Sequence, residues 1–260
     1  MKIVYCGDIV GRAGRDAVLK NLPELRSRFK ADAIILNVEN SAHGFGVTPS
    51  MAQSFLSQGA DFLVTGNHVW QQREIIPFLD ENHHIIRPLN YPKSANGRGY
   101  DILELSNGKK ILITQVLGRI FMENVDNPAF AIDEILKSHT LGGSVNAIFV
   151  DIHAECTSEK LSLGYYLDGR VSVVAGSHTH VPTADGRILP HGTAYITDVG
   201  MCGNYDSILG FDKQAPIDRL CQKYNGNRLE ACRTNGEVWG IVVTTDDKTG
   251  LALSIEQFKI

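Results

Sequence analysis

The chain lacks an excess of basic charge. Its 260 residues carry 25 Lys and Arg against 29 Asp and Glu, a formal net charge of −4. That argues against a general binder of long nucleic acid, which is usually basic. It leaves small phosphate substrates open, because a bound cation inverts the local field. No run of about 18 apolar residues occurs, so no transmembrane helix and no membrane partner is expected. Cysteine is sparse: Cys6, Cys156, Cys202, Cys221 and Cys232 are odd in number and show no C-x-x-C spacing. A reduced, cytoplasmic chain is the simplest reading. The first six residues run straight into a predicted strand, without a long apolar signal region or cleavage site. No low-complexity tract, internal repeat or linker interrupts the chain. Residues 94–99 and 224–227 read as loops, so residues 1–260 are expected to form a single domain. No Walker A sequence is present. Gly7, Gly11 and Gly14 are spaced GxxxGxxG, not GxGxxG, and Asp8 directly follows the first glycine, which argues against a dinucleotide loop.

What is present is an ordinary globular composition, 43% hydrophobic and 21% charged, with enough chain to bury a large core. The first third alternates short apolar runs with helical periodicity. Strands are predicted at 3–6, 33–38 and 61–65, and helices at 14–29, 49–58 and 71–81. Thr48 and Pro49 are a suitable start for the second helix. This β-α-β-α rhythm predicts parallel strands joined by crossover helices. The middle differs. Runs at 100–105 and 109–116 flank Ser106-Asn107-Gly108, a hairpin signal. A helix is predicted at 126–139, a strand at 147–152, a helix at 158–167, and strands at 171–175 and 194–197. A second hairpin joins 238–245 to 251–258. Parallel units plus hairpins imply an α/β fold with two mixed β-sheets.

The polar residues at the strand ends carry the chemistry. The run Ala33-Ile34-Ile35-Leu36 ends in Asn37-Val38-Glu39-Asn40. A carboxylate can bridge two cations, and an amide oxygen can fill a neutral coordination position. Asp8, Asn67-His68, His153 and His178-Thr179-His180 follow other predicted strands. Singly, each has an ordinary explanation: Asp8 as a helix cap, Asn67 as a turn residue, a buried His as a hydrogen-bonded core residue. His43, His83, His84, His139 and His191 keep that ordinary reading. Together the strand-end residues point to one site, because function in open α/β sheets gathers at the carboxyl ends of strands. Oxygen and imidazole without thiolate suit manganese, iron or catalytic zinc. The residues therefore read as a two-metal hydrolase.

The words Gly7-Asp8, Glu39-Asn40, Gly66-Asn67-His68, Asp151-Ile152-His153-Ala154-Glu155 and Gly176-Ser177-His178-Thr179-His180-Val181-Pro182, extended by Ile196-Thr197-Asp198-Val199-Gly200-Met201, span most of the chain. In this series the chain resembles the calcineurin-like metallophosphoesterases, and within them the YmdB-like bacterial phosphodiesterase branch. The resemblance implies two mixed sheets packed face to face and flanked by helices, a four-layer sandwich. It implies hydrolysis of small cyclic nucleotides, 2′,3′- or 3′,5′-cyclic, and a homo-oligomer. It places Asp8, Glu39, Asn40 and His180 around one metal. Glu39 would bridge to a second, also held by Asn67, His153 and His178. Iron or manganese is the first expectation, with zinc or magnesium as the alternatives. A metal-bridging hydroxide would attack phosphorus, and His68 would protonate the leaving alkoxide. The superfamily's Asp-x-His opening is broken here by Val10, and the resemblance implies that Asn40 takes the lost position. Val69 stands where many relatives carry an acid, so an acid partner for His68 of the common kind is not expected. Arg12 and Arg119 are candidate phosphate contacts, since guanidinium suits phosphate oxygens. The alternatives are a phosphomonoesterase or nuclease with the same metals, or a regulatory module whose metal site is a switch or relic.

Overall fold

A computed structural model describes residues 1–223 and 228–260; the loop expected at 224–227 lies outside the described residues. The first half contains β1 (Lys2–Cys6), β2 (Asp8–Ile9), α1 (Gly11–Phe29), β3 (Ala33–Asn37), α2 (Pro49–Ser57), β4 (Phe62–Val64), α3 (Ile75–Glu81) and β5 (Ile85–Ile86). There follow β6 (Tyr100–Glu104), β7 (Lys110–Leu117), α4 (Pro128–Leu136), β8 (Ala147–His153), α5 (Thr157–Tyr166) and β9 (Val173–Ser177). The chain continues through β10 (Arg187–Ile188), β11 (Ala194–Ile196), β12 (Met201–Cys202) and α6 (Gln214–Leu220), and closes with β13 (Trp239–Thr245) and β14 (Ala252–Lys259).

These strands form two six-stranded sheets, ordered β14-β13-β1-β3-β4-β5 and β10-β11-β9-β8-β7-β6, plus the small pair β12-β2. Both large sheets are mixed. In the first, β1, β3, β4 and β5 run parallel, while β13 and β14 join antiparallel. In the second, β7, β8, β9 and β11 are parallel, with β6 and β10 antiparallel at the edges. Among the described residues no helix is long and apolar enough to cross a membrane.

Period-two alternation sorts the side chains into layers. In β1, Ile3 and Tyr5 belong to the cluster between the sheets, whereas Val4 and Cys6 join the helix-facing cluster with Val18, Leu22 and Leu25 of α1. In β8, Phe149 faces the first sheet, while Ile148, Val150 and Ile152 pack with Leu163 of α5 and Ile132 of α4. The result is helix, sheet, sheet, helix. Tyr5 and Phe149 meet edge to face across the middle, with ring centroids 4.9 Å apart.

Local chemistry explains where elements start and stop. Asn127 Oδ1 accepts from Ala129 N at 2.9 Å and Pro128 fills the first helical position, so α4 begins at Pro128, inside the longer predicted span. Residues before a proline are pushed out of the helical region. The helix predicted at 71–81 is helical only from Ile75. The four preceding residues make turns, and Gln72 Nε2 donates to the Phe45 carbonyl at 2.9 Å. The short strands β2, β5, β10 and β12 and the helix α6 carry too few residues for periodicity to reveal them.

The fold brings the carboxyl ends of the parallel strands of both sheets together. Asp151 of β8 accepts from Tyr5 of β1 at 2.8 Å, Gln115 of β7 at 2.6 Å and Ser177 of β9 at 2.7 Å. The pairing of Met201 with Asp8 in β12-β2 lays the segment after β11 along the end of β1. Truncating the ring at the centre of the sandwich tests this layering. Phe149→Ala is expected to lower the unfolding free energy by roughly 3–5 kcal/mol, read from the midpoint of urea unfolding, with the slope unchanged.

Candidate metal centre

The structure gathers Asp8, Glu39, Asn40, Asn67, His68, His153, His178 and His180 at the strand ends. Ligand atoms of Glu39, His153 and His178 lie within 4.8 Å of one another. The key feature is the direction of the lone pairs. His153 Nδ1 lies 2.8 Å from Ser177 Oγ, and that hydroxyl already donates its proton to Asp151 Oδ1. Nδ1 is therefore the protonated nitrogen, and Nε2 carries a lone pair. Nε2 faces Glu39 Oε2 at 2.5 Å, Asn67 Oδ1 at 3.2 Å and His178 Nδ1 at 3.1 Å. Glu39 Oε2 is buried and receives no hydrogen bond. His178 Nε2 lies 3.3 Å from the Glu155 carboxylate, which holds the His178 proton on that nitrogen.

A second group repeats the logic. The Leu209 carbonyl, which can only accept, lies 3.1 Å from His180 Nδ1. Its Nε2 therefore presents a lone pair, 3.2 Å from Asn40 Oδ1. Asn40 Nδ2 donates to the Gly44 carbonyl at 3.0 Å, so the amide oxygen is the atom that faces His180. Asp8 Oδ1 is buried without a donor, while its Oδ2 accepts from the His178 backbone N–H at 3.1 Å. Imidazole, amide and carboxylate acceptors pressed together, with no hydrogen bond donated to Asp8 Oδ1 or Glu39 Oε2, fit cations. Val10, at the position of the missing histidine, instead packs against Gly203 and Gly210.

Burial sets the protonation balance. It pushes the carboxyls of Asp8, Glu39 and Asp151 up to about 7. The same desolvation pulls His153 down to about 3 and His178 to about 2, and lowers His180 as well. The imidazoles are thus neutral ligands at physiological pH, and the carboxyls must lose protons to bind a cation.

Several residues that hold the site were not assigned roles from the sequence. Lys160 and Asp198 form a fully buried ion pair at 2.9 Å. Lys160 Nζ also donates to the Ser177 carbonyl at 2.6 Å, and Asp198 Oδ2 accepts from Thr179 N and Oγ1 at 3.1 and 2.7 Å. This pair clamps the turn in which His178 and His180 both have positive φ, 91° and 62°. Asp198 follows a predicted strand; Lys160 sits in a helical stretch without any local signal. Gly66 is required sterically, since a Cβ there would lie 1.4 Å from Glu39 Oε2.

The cavity over these residues has a volume of about 370 Å³ and is lined by Glu39, Asn40, His68, His178 and His180, with Phe45, Phe211 and Arg219 among the other walls. His68 Nε2 lies 3.9 Å from Glu39 Oε1, and the His68 ring meets Phe45 edge to face. The two candidate arginines stand apart from this cavity. Arg12 pairs with Asp16 at 3.2 Å and lines a neighbouring cavity; Arg119 lines another, beside Glu159. Arg219 is the guanidinium that lines the cavity itself.

A face-to-face pair of mixed sheets with imidazole, amide and carboxylate side chains gathered at the strand ends defines a metallophosphoesterase-type protein. Residues 4–258 match the family model of YmdB-like proteins, and the chain belongs to that family. It is 43% identical over its whole length to 97% of a Bacillus subtilis protein described as a 2′,3′-cyclic-nucleotide 2′-phosphodiesterase. A structure of a novel phosphatase from Mycoplasma pneumoniae superposes with a TM-score of 0.92 at 32% identity, covering all of this chain and 93% of that one. The structure of a hypothetical protein from Thermus thermophilus gives 0.91 at 36% identity, covering 100% of this chain and 99% of that one.

The raised carboxyls give a signed pH dependence. Below pH 7 the metal-free site holds protons on Asp8 and Glu39 that a cation must displace. Metal affinity is expected to fall as pH drops from about 8 to about 6. Titration calorimetry in buffers of different ionisation enthalpy is expected to show more protons released per metal at about pH 6 than at about pH 8. Equal release at both would contradict the protonation scheme.

Proposed function

We propose that this protein is a dinuclear metal-dependent phosphodiesterase that opens small cyclic nucleotides, 2′,3′-cyclic first and 3′,5′-cyclic second. The observation that carries the reading is the set of inward-facing acceptors, in which the imidazole lone pairs and the amide oxygens meet carboxylate oxygens of Asp8 and Glu39 that receive no hydrogen bond. The activity described for the B. subtilis relative supports the substrate class. Asp8, Asn40 and His180 are assigned to one cation, and Asn67, His153 and His178 to the other, with Glu39 shared. When bound, the two cations polarise phosphoryl oxygens and supply a nucleophile from water at neutral pH.

The protein's own groups do the rest. Only Asp8 and Glu39 are anionic ligands; the imidazoles stay neutral because burial lowers them. With only these two carboxylates, the site would leave two divalent ions a net charge of about +2 and so favour a phosphodiester anion. Asp151, through Ser177, fixes the tautomer and tilt of His153, an orienting role familiar from metal-bound histidines. His68 borders the cavity beside Glu39. It delivers the proton that ends on the departing ribose oxygen, while the hydroxyl that ends on phosphorus comes from water. The bond broken is P–O and the product is a nucleoside monophosphate.

The deciding assay is hydrolysis of 2′,3′- and 3′,5′-cyclic nucleotides with manganese or iron. His68→Ala is expected to lower kcat by roughly 10²–10⁴-fold with metal content retained, and Glu39→Gln to lose both metal and activity. If these variants matched wild type, the assignment would fail. Clear preference for monoesters in a nitrophenyl mono- and diester panel would favour the phosphatase reading suggested by the M. pneumoniae structure. Asn40→Ala is expected to lose the metal shared with Asp8 and His180, by elemental analysis, with the other site less affected.

A further inference from the structure

The cavity over the metal ligands has two unlike halves. One half is Glu39, Asn40, His68, His178 and His180; the other is built from Phe45, Ile208, Leu209, Phe211, Pro216 and Leu229. A phosphate needs only the first half. The second half is apolar, and among the described residues its one charged side chain is Arg219. The rings of Phe45 and Phe211 lie 5.6 Å apart with planes 37° from parallel, continuing the contact of Phe45 with His68. An aromatic surface thus runs from the candidate acid to the far wall. At about 370 Å³ the cavity is at the small end of sites that hold one small organic molecule, roughly 300–1,000 Å³.

The wall is also preformed. Ile208 and Phe211 exchange backbone hydrogen bonds at 2.9 and 3.1 Å, closing a tight turn. Inside it Leu209 has φ 54° and Gly210 φ 89°, with Gly210 so close to Val10 that a Cβ would lie 2.5 Å from Val10 Cγ1. Gly210 N donates to Ser207 Oγ at 2.8 Å, and its carbonyl accepts from Cys232 N at 2.9 Å. A branched apolar residue held in the left-handed region is uncommon and clusters at ligand-binding sites. Leu209 nevertheless keeps 45% of its surface exposed, so the turn does not exist to bury that side chain. The same residue's carbonyl fixes the His180 ring, which ties the apolar wall rigidly to the metal ligands.

We infer that this apolar half is a nucleobase subsite, in which Phe211 and Leu209 offer the stacking surface and the Arg219 guanidinium meets the edge of the base. The inference rests on the phosphodiesterase reading and adds to it the residues that meet the base, so that a cyclic nucleotide is favoured over a base-free cyclic phosphodiester through Phe211, Leu209 and Arg219. Base stacking on an aromatic side chain is sequence-tolerant, because every base has a π-face. The subsite therefore discriminates presence of a base more strongly than its identity.

The test compares adenosine 2′,3′-cyclic phosphate with methyl riboside 2′,3′-cyclic phosphate, which has the same reacting group and no base. Wild-type holoenzyme is expected to prefer the nucleotide by about 10–100-fold in kcat/KM, mainly through KM. Phe211→Ala is expected to reduce that preference to about threefold or less, and Phe211→Tyr to retain it. Calorimetric binding of adenosine 3′-monophosphate against the base-free ribose 3-phosphate to the metal-loaded protein gives the same ratio without turnover. An unchanged preference in Phe211→Ala, or no preference in wild type, overturns the subsite. If wild type cleaves neither ester, the phosphodiesterase reading falls, and the binding ratio alone decides whether the base pocket stands.

Discussion

Lone pairs facing lone pairs at close range are the constraint on which this structure depends. His153 Nε2, Glu39 Oε2, Asn67 Oδ1 and His178 Nδ1 crowd together, and His180 Nε2 faces Asn40 Oδ1. Hydrogen bonding cannot relieve them, because each imidazole proton is already committed elsewhere, to Ser177, Glu155 or the Leu209 carbonyl. A buried acceptor without a donor is costly. The shell turns the imidazole protons away from the cluster, while the buried carboxyls of Asp8 and Glu39 are left as the groups that take up or release protons near pH 7. The pKa directions agree: burial disfavours protonated imidazole throughout the cluster.

Keeping such a site open demands rigid support, and the support is itself charged and buried. Asp151 accepts from Tyr5, Gln115 and Ser177, which come from strands of both sheets. It is therefore both a bond between the layers and the anchor of His153. The Lys160–Asp198 pair does the corresponding work for the turn that carries His178 and His180. Two fully buried charges rarely add stability over apolar residues, but removing one partner is severe. Here the pair holds two neighbouring residues in left-handed conformations that an apolar core could not enforce by itself.

The cavity joins this charged floor to an apolar wall. The floor derives from strand ends, and the wall combines Phe45, close in sequence to Glu39, with the turn at 207–211, α6 and Leu229, which are remote from it. Backbone hydrogen bonds pin the turn, and the Leu209 carbonyl connects it to His180. The polar and apolar halves of the cavity are consequently joined in a single unit, the arrangement that would let binding energy from a remote group act on a reacting one.

The fold class and the gathering of polar residues at one site were legible in the sequence because the signals of both are local. Strand and helix periodicity distinguishes layers, and a polar residue just after an apolar run marks a carboxyl end; Asp8, Glu39, Asn67, His153, His178 and His180 all carry that mark. Asn40 was legible as a ligand candidate from its place beside Glu39, but its part as the substitute for the histidine missing at Val10 came only through the resemblance. Arg12 and Arg119 show the limit of residue chemistry: guanidinium suits phosphate, but neither lines the cavity over Glu39, and Arg219 does. Tautomers, the Lys160–Asp198 clamp, the Asp151 anchor and the apolar wall were decided by tertiary structure alone. Each depends on which atom meets which across the chain, from 17 residues between Lys160 and Ser177 to 146 between Tyr5 and Asp151, and hydrogen-bond direction and burial do not exist until the two sheets have closed on one another.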